Sequence, residues 1–127
     1  VFVGPAGWGS AETSDAVVLG MVSRELLLGL YREATLVAYV PRAEGFGLPP
    51  VEALRAGTRV VVSSTCPSVA TNNEVTVVDP LDVEGIATGL LAALQGATTE
   101  AARERRRESV AEMTWRNCAL DHLAAWS

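Results

Sequence analysis

Short apolar runs alternating with amphipathic stretches predict an α/β fold, a parallel sheet with helices on both faces. Three observations carry that prediction. Apolar runs of strand length stand at 1–3, 16–20, 35–39, 59–62 and 75–78. Helical spacing or helix-capping residues fall between or after them, at 24–34, 49–56 and 83–94. The runs are nearly continuous in apolar character, as strands buried on both faces are. The 127 residues suffice for one core and not for two ordinary domains, and no internal repeat or low-complexity segment interrupts them.

In chain order, Val1-Phe2-Val3 reads as a buried strand stopped by Gly4-Pro5. Trp8, beside a glycine turn, reads as a packing residue more readily than as the wall of a crevice. Ala16 to Gly20 reads as a second strand. Ser23 then caps a helix from Arg24 to Ala34, whose Leu26, Leu27, Leu30 and Tyr31 recur at helical spacing and make it scaffold. Thr35 to Tyr39 is a third strand. A short helix over Pro49 to Ala56 ends at Gly57, and Arg59 to Val62 is the next strand. Ser63-Ser64-Thr65 sit at its carboxyl end, where open α/β sheets bind ligands; their hydroxyls either touch a ligand or form a turn. Val75 to Pro80 is the fifth strand, Asp82 caps a helix from Val83 to Leu94, and Thr99 caps another. In that last helix Glu100, Arg103, Glu104, Arg107 and Glu108 are spaced for ion pairs, so the arginine run reads as a solvated face.

The chemistry concentrates in Glu44-Gly45-Phe46-Gly47-Leu48-Pro49-Pro50-Val51-Glu52. Gly45 and Gly47, lacking Cβ, allow a sharp turn and close approach of a ligand. A proline in the first helical turn costs no hydrogen bond, and free N–H groups at the helix start suit a phosphate. Two carboxylates would repel that phosphate unless they serve other parts of the ligand, such as sugar hydroxyls. A phosphate centre with hydroxyls at both ends is a nucleotide sugar.

The same segment resembles the E-x7-E signature of retaining glycosyltransferases of the GT-B type, the "glycosyl transferases group 1" family. The family form is E-G-F-G-L-P-x-x-E-A followed by small-G-T-P-V-V; here it stands as Glu44 to Ala53 and then Ala56-Gly57-Thr58-Arg59-Val60-Val61. Gly4 to Trp8, Leu19 to Ala34, Val77 to Asp82 and Thr114 to Asn117 are similar to further family patterns. The resemblance implies a Rossmann-like, partial C-terminal domain of a GT-B fold, covering 1–127 and incomplete at its N-terminal side. It implies a terminal helix over 114–127 that crosses back to an N-terminal acceptor domain. It also implies that the helix relatives carry after the first of these strands is shortened or missing across Gly9 to Asp15.

For the site, the resemblance implies that Glu44 acts at the donor sugar and Glu52 accepts hydrogen bonds from ribose hydroxyls. The backbone N–H groups of Gly45, Phe46, Gly47 and Leu48 would face the sugar and diphosphate. No metal and no cofactor is implied beyond the nucleoside diphosphate-sugar itself. The chain departs from the pattern in having Val40-Pro41 where Pro-Ser is common, and Ser68-Val69-Ala70 where a P-E-V loop is common, with Glu74 the next acid. The chain opens at Val1 inside a strand. The resemblance implies as partners an acceptor domain or completing chain, the donor, and an acceptor of unstated chemistry. Without a completing strand, unpaired apolar edges would invite aggregation. A non-catalytic nucleotide-sugar-binding module is the rival reading.

Composition narrows the classes. A net charge of −5, with all ten basic residues arginine, speaks against a general nucleic-acid binder. Cys66 and Cys118 lack metal-ligand spacing and read as reduced packing cysteines, hence a cytoplasmic setting. No apolar run reaches membrane-spanning length, no signal peptide is evident, and His122 is given no catalytic role.

Overall fold

The computed structural model describes residues 1–5 and 15–126. Within them three parallel strands, β1 (Val37–Tyr39), β2 (Val60–Ser63) and β3 (Val75–Val78), form a sheet in the order β1-β2-β3. Val37, Ala38 and Tyr39 lie opposite Val60, Val61 and Val62; Val60 to Ser63 lie opposite Val75 to Val78. Every residue of β2 is buried, the state that its unbroken valine run anticipates.

Alternation along β2 divides the interior. Val60 and Val62 join Val51, Leu54, Tyr31, Val69 and Val110 on one face, beneath α1 (Arg24–Glu33) and α2 (Leu48–Arg55). Val61 joins Val78 and Ala93 on the other, beneath α3 (Val83–Gln95). A Cβ at Gly89 would stand 2.6 Å from Val78 Cγ1, so the glycine lets α3 settle on the sheet. Helices therefore cover both faces, as expected. Two more follow, α4 (Glu100–Glu108) and α5 (Trp115–Ala125).

The capping residues do what their chemistry suggests. Ser23 Oγ accepts from Leu26 N–H at 3.2 Å, Asp82 Oδ1 from Gly85 at 2.9 Å, and Thr99 Oγ1 from Ala102 at 3.3 Å. Thr114 begins α5 in the same way, accepting from Asn117 at 3.0 Å.

The first two expected strands are the main correction. They pair in parallel at one bridge, Phe2 with Val18, continued by the Gly4 N–H donating to the Gly20 carbonyl at 2.9 Å, and Phe2 and Val18 are both 57% exposed. Both runs are largely exposed among the described residues, and a two-stranded pairing without a packed face gains little stability, so it stays short. Trp8 and the expected loss of a helix at 9–15 lie outside the described residues, save Asp15. α5 has no buried residue, and Trp115 and Trp126 are 78% and 84% exposed. Cys118, expected to pack, is exposed on it, whereas Cys66 is fully buried.

Candidate functional site

β1 ends at Tyr39, and the chain passes through Glu44 and a glycine turn into α2, so the motif stands at the carboxyl end of a parallel strand. The two glycines do different work. Gly47 is the N-cap of α2 with φ 93°, a left-handed conformation that favours glycine, and an added Cβ would collide with the buried Cys66 Sγ. Gly45 has no such backbone requirement, and nothing lies within 4 Å of where its Cβ would be. Gly47 shapes the turn; Gly45 leaves open space above it.

The turn is held from behind by 66–68. Ser68 N–H donates to the Phe46 carbonyl at 3.1 Å and Ser68 Oγ to the Gly47 carbonyl at 2.8 Å. The departure from the P-E-V loop thus supplies a hydroxyl that braces the motif. Glu74, the next acid, pairs instead with Arg105 at 3.2 Å. Ser63 and Thr65 bond to each other at 2.8 Å, and Thr65 donates to the Pro41 carbonyl at 2.9 Å, so these two hydroxyls form a turn. Ser64 is exposed.

Both acids are met by tyrosines that sequence reading treated as scaffold. The Tyr39 phenol donates to Glu44 Oε2, and the Gly45 N–H donates to Glu44 Oε1 at 2.8 Å. Those contacts, Tyr39 first, hold the Glu44 carboxyl below the usual carboxylate range, with the Phe46 N–H helping. Tyr39 is pushed up to about 12, mainly by its bond to Glu44 and then by burial. The Tyr31 phenol donates to Glu52 Oε2 at 3.4 Å, a long bond. Tyr31 is itself pushed up to about 12, chiefly by burial and then by the Glu52 charge. Thr58, buried, donates to the Tyr31 carbonyl and fixes the end of α1 against the start of β2.

The phosphate-ready helix start needs sharpening. Leu48 opens α2, so Pro49 and Pro50 take the next two positions and contribute no N–H. The Gly45 and Phe46 amides serve the Glu44 carboxylate. An incoming anion finds fewer donors here than the motif alone suggests. Phe46 and Leu48 are about half exposed, apolar surface at the mouth of the turn. His122 Nδ1 lies 2.8 Å from the Cys118 carbonyl within α5, a local contact and no part of this locus.

Among the described residues no three or more His, Cys, Asp or Glu stand together to hold a metal ion, and no helix is long and apolar enough to cross a membrane.

A strand-to-helix turn with two phenol-held glutamates stands on a parallel sheet covered on both faces, a Rossmann-like layer. The profile of "Glycosyl transferases group 1" matches residues 12–112, and the chain belongs to that family. It is 35% identical over 111 residues to "O-antigen chain mannosyltransferase B" of Escherichia coli, covering 85% of this chain and 29% of that protein. Among solved structures it resembles a UDP-forming α,α-trehalose-phosphate synthase from Burkholderia xenovorans, in complex with glucose-6-phosphate (23% identity, TM-score 0.68, 90% of this chain and 28% of that one). It also resembles the N-terminal domain of a Candida albicans trehalose-6-phosphate phosphatase (21% identity, TM-score 0.73, 85% and 25%). These two likenesses are of fold: the Rossmann-like α/β layer of a GT-B C-terminal domain. The chain spans under a third of the length of each.

Proposed function

We propose that this chain is the donor-binding part of a glycosyltransferase that moves a sugar from a nucleoside diphosphate-sugar to an acceptor hydroxyl, with retention and without a metal. The carrying observation is that the segment from Glu44 to Glu52 forms the turn from β1 into α2 at the carboxyl end of a parallel strand, with each of the two carboxylates accepting from a phenol. Glu52, whose Oε2 accepts only the long 3.4 Å bond from Tyr31, has acceptor capacity left for the ribose hydroxyls. Glu44, kept ionised by Tyr39 and the Gly45 and Phe46 amides, orients the donor sugar and stabilises positive charge developing at its anomeric carbon as the diphosphate leaves. The Leu48 N–H and the positive end of α2 face the diphosphate. An acceptor-binding domain or completing chain supplies the other wall, in a cytoplasmic setting.

The test uses the full-length protein. A thermal-shift screen of UDP-, GDP-, ADP- and dTDP-sugars identifies the donor, because a bound ligand stabilises by mass action. The Escherichia coli likeness puts mannosyl donors first in that screen. Glu44→Gln is then expected to lower kcat by about 100-fold or more while donor binding persists. Unchanged transfer in Glu44→Gln would make the domain a binding module without catalytic use of this acid.

A further inference from the structure

The amino end of the sheet, opposite the glycine turn, carries a cavity of about 250 Å3 between the entries to β1 and β2. Its lining includes four arginines, Arg32, Arg59, Arg103 and Arg106, with Thr98 and a single acid, the exposed Glu33. Two of the four are buried: Arg59 is 8% and Arg106 7% exposed. Their partners are main-chain carbonyls. Arg59 donates to Thr35, Ala93, Leu94 and Gly96, and Arg106 to Gly57 and Ala97. Carbonyl dipoles satisfy donors but do not cancel full charges.

Arg106 is the exposed weakness of this arrangement in an energetic sense, although it is buried in space. Its Nε is enclosed and has no hydrogen-bond partner among the described residues. Burial lowers its pKa, the nearby Glu74 opposes that, and Arg59, Arg105 and Arg103 add to it. In a chain of net charge −5, four arginines around one small space concentrate positive charge, although Arg103 also lies 3.9 Å from Glu100.

We propose that this cavity is an anion site for a tetrahedral oxyanion, inorganic phosphate or the phosphate of a monoester, distinct from the donor locus. Its volume lies below the roughly 300–1,000 Å3 of sites for drug-sized ligands, which suits one phosphoryl group and not a nucleotide. Guanidinium forks match phosphate oxygens geometrically, and a bound dianion would offset the charge of the buried Arg59 and Arg106, whose hydrogen-bond partners are carbonyls. Arg103 and Arg106 also hold the Ala56 and Gly57 carbonyls at the end of α2, so the anion would sit against the helix that carries Glu52.

The test titrates inorganic phosphate, and separately phenyl phosphate, into the full-length protein at constant ionic strength and follows Tm. A saturable rise with inorganic phosphate identifies the free ion as sufficient; a rise with phenyl phosphate alone identifies the ester as the ligand. Either is expected to weaken about tenfold or more in Arg32→Gln and in Arg103→Gln, each the loss of a charge-assisted donor. Both side chains lie at the less buried side of the cavity, so the variants spare the buried pair. Glu52→Gln is expected to leave the titration unchanged. No saturable rise with either probe, or an equal rise in both arginine variants, would overturn the site. So would a rise that strengthens in Glu52→Gln and persists in the arginine variants, which would place the anion at the donor locus.

Discussion

The two ends of the sheet hold charge in opposite ways. At the carboxyl end two acids are held by phenol side chains beside open space over Gly45. At the amino end two arginines are buried and held by the carbonyls that close α3 and flank α4. The half-buried Tyr39 phenol can swing away from Glu44, whereas Tyr31, packed in the core, and a carbonyl in a helix end cannot. The difference teaches that the acids are held by side chains with rotatable hydroxyls, and the buried arginines by main chain that the helix ends fix.

The largest expected effect tests the frame of the carboxyl end. Gly47→Ala should lose about 2–4 kcal/mol in denaturant unfolding, from its left-handed backbone and the collision with Cys66. Gly45→Ala should unfold like the parent protein while weakening donor binding, since its Cβ enters only open space. Equal stability of the two variants would show that the turn does not depend on Gly47.

Next is the amino end. Arg59→Met should cost about 2 kcal/mol, because the Thr35, Ala93, Leu94 and Gly96 carbonyls lose a shared donor. A loss well under that figure would mean that water replaces the guanidinium there and that the two ends differ less than the geometry implies.

Tyr39→Phe has a smaller effect, read through pH. With Tyr39 present the folded-state Glu44 pKa lies below 4.5, so the contact stabilises above that pH and is lost as pH falls through the lowered value. The phenol, raised from 10.0 to about 12, keeps its proton through neutral pH, and its contribution fades as pH rises from about 10 to about 12. Removing it should move the acid limb of the transfer profile up toward 4.5, with kcat at neutral pH changed less than in Glu44→Gln. An unmoved acid limb would show that the Gly45 and Phe46 amides suffice.

The smallest effect lies on the outer face of α4. Arg107 pairs with Glu100 and Glu104, each at 2.7 Å, and both acids are largely exposed. Arg107→Gln should leave Tm unchanged within error, as exposed pairs usually do. Set beside Arg103→Gln, it separates surface charge from cavity charge within one helix.

The arginine run of α4 shows why part of the molecule was not legible in its residues. Spacing correctly indicated the ion pairs of Arg103 and Arg107 with Glu100 and of Arg107 with Glu104. The same spacing gave no sign that Arg106 turns inward, because its partners, Gly57 and Ala97, are carbonyls with no sequence signature. Tyr31 and Tyr39 were hidden similarly: one lay in an apolar helical stripe and the other in an apolar strand, and only their hydroxyls reach the acids.

From sequence alone came the α/β class, the helix starts at Ser23, Asp82 and Thr99, the order of elements from residue 24 onward, and the family-bearing motif around Glu44 and Glu52. These are local matters, since capping, periodicity and glycine turns involve residues a few positions apart. Only tertiary structure decided that Phe2 and Val18 meet at a single bridge, that each acid has a tyrosine, and that four arginines surround one cavity. Those outcomes depend on contacts between residues as much as 71 positions apart, such as Arg103 with the Arg32 carbonyl, which no local pattern encodes.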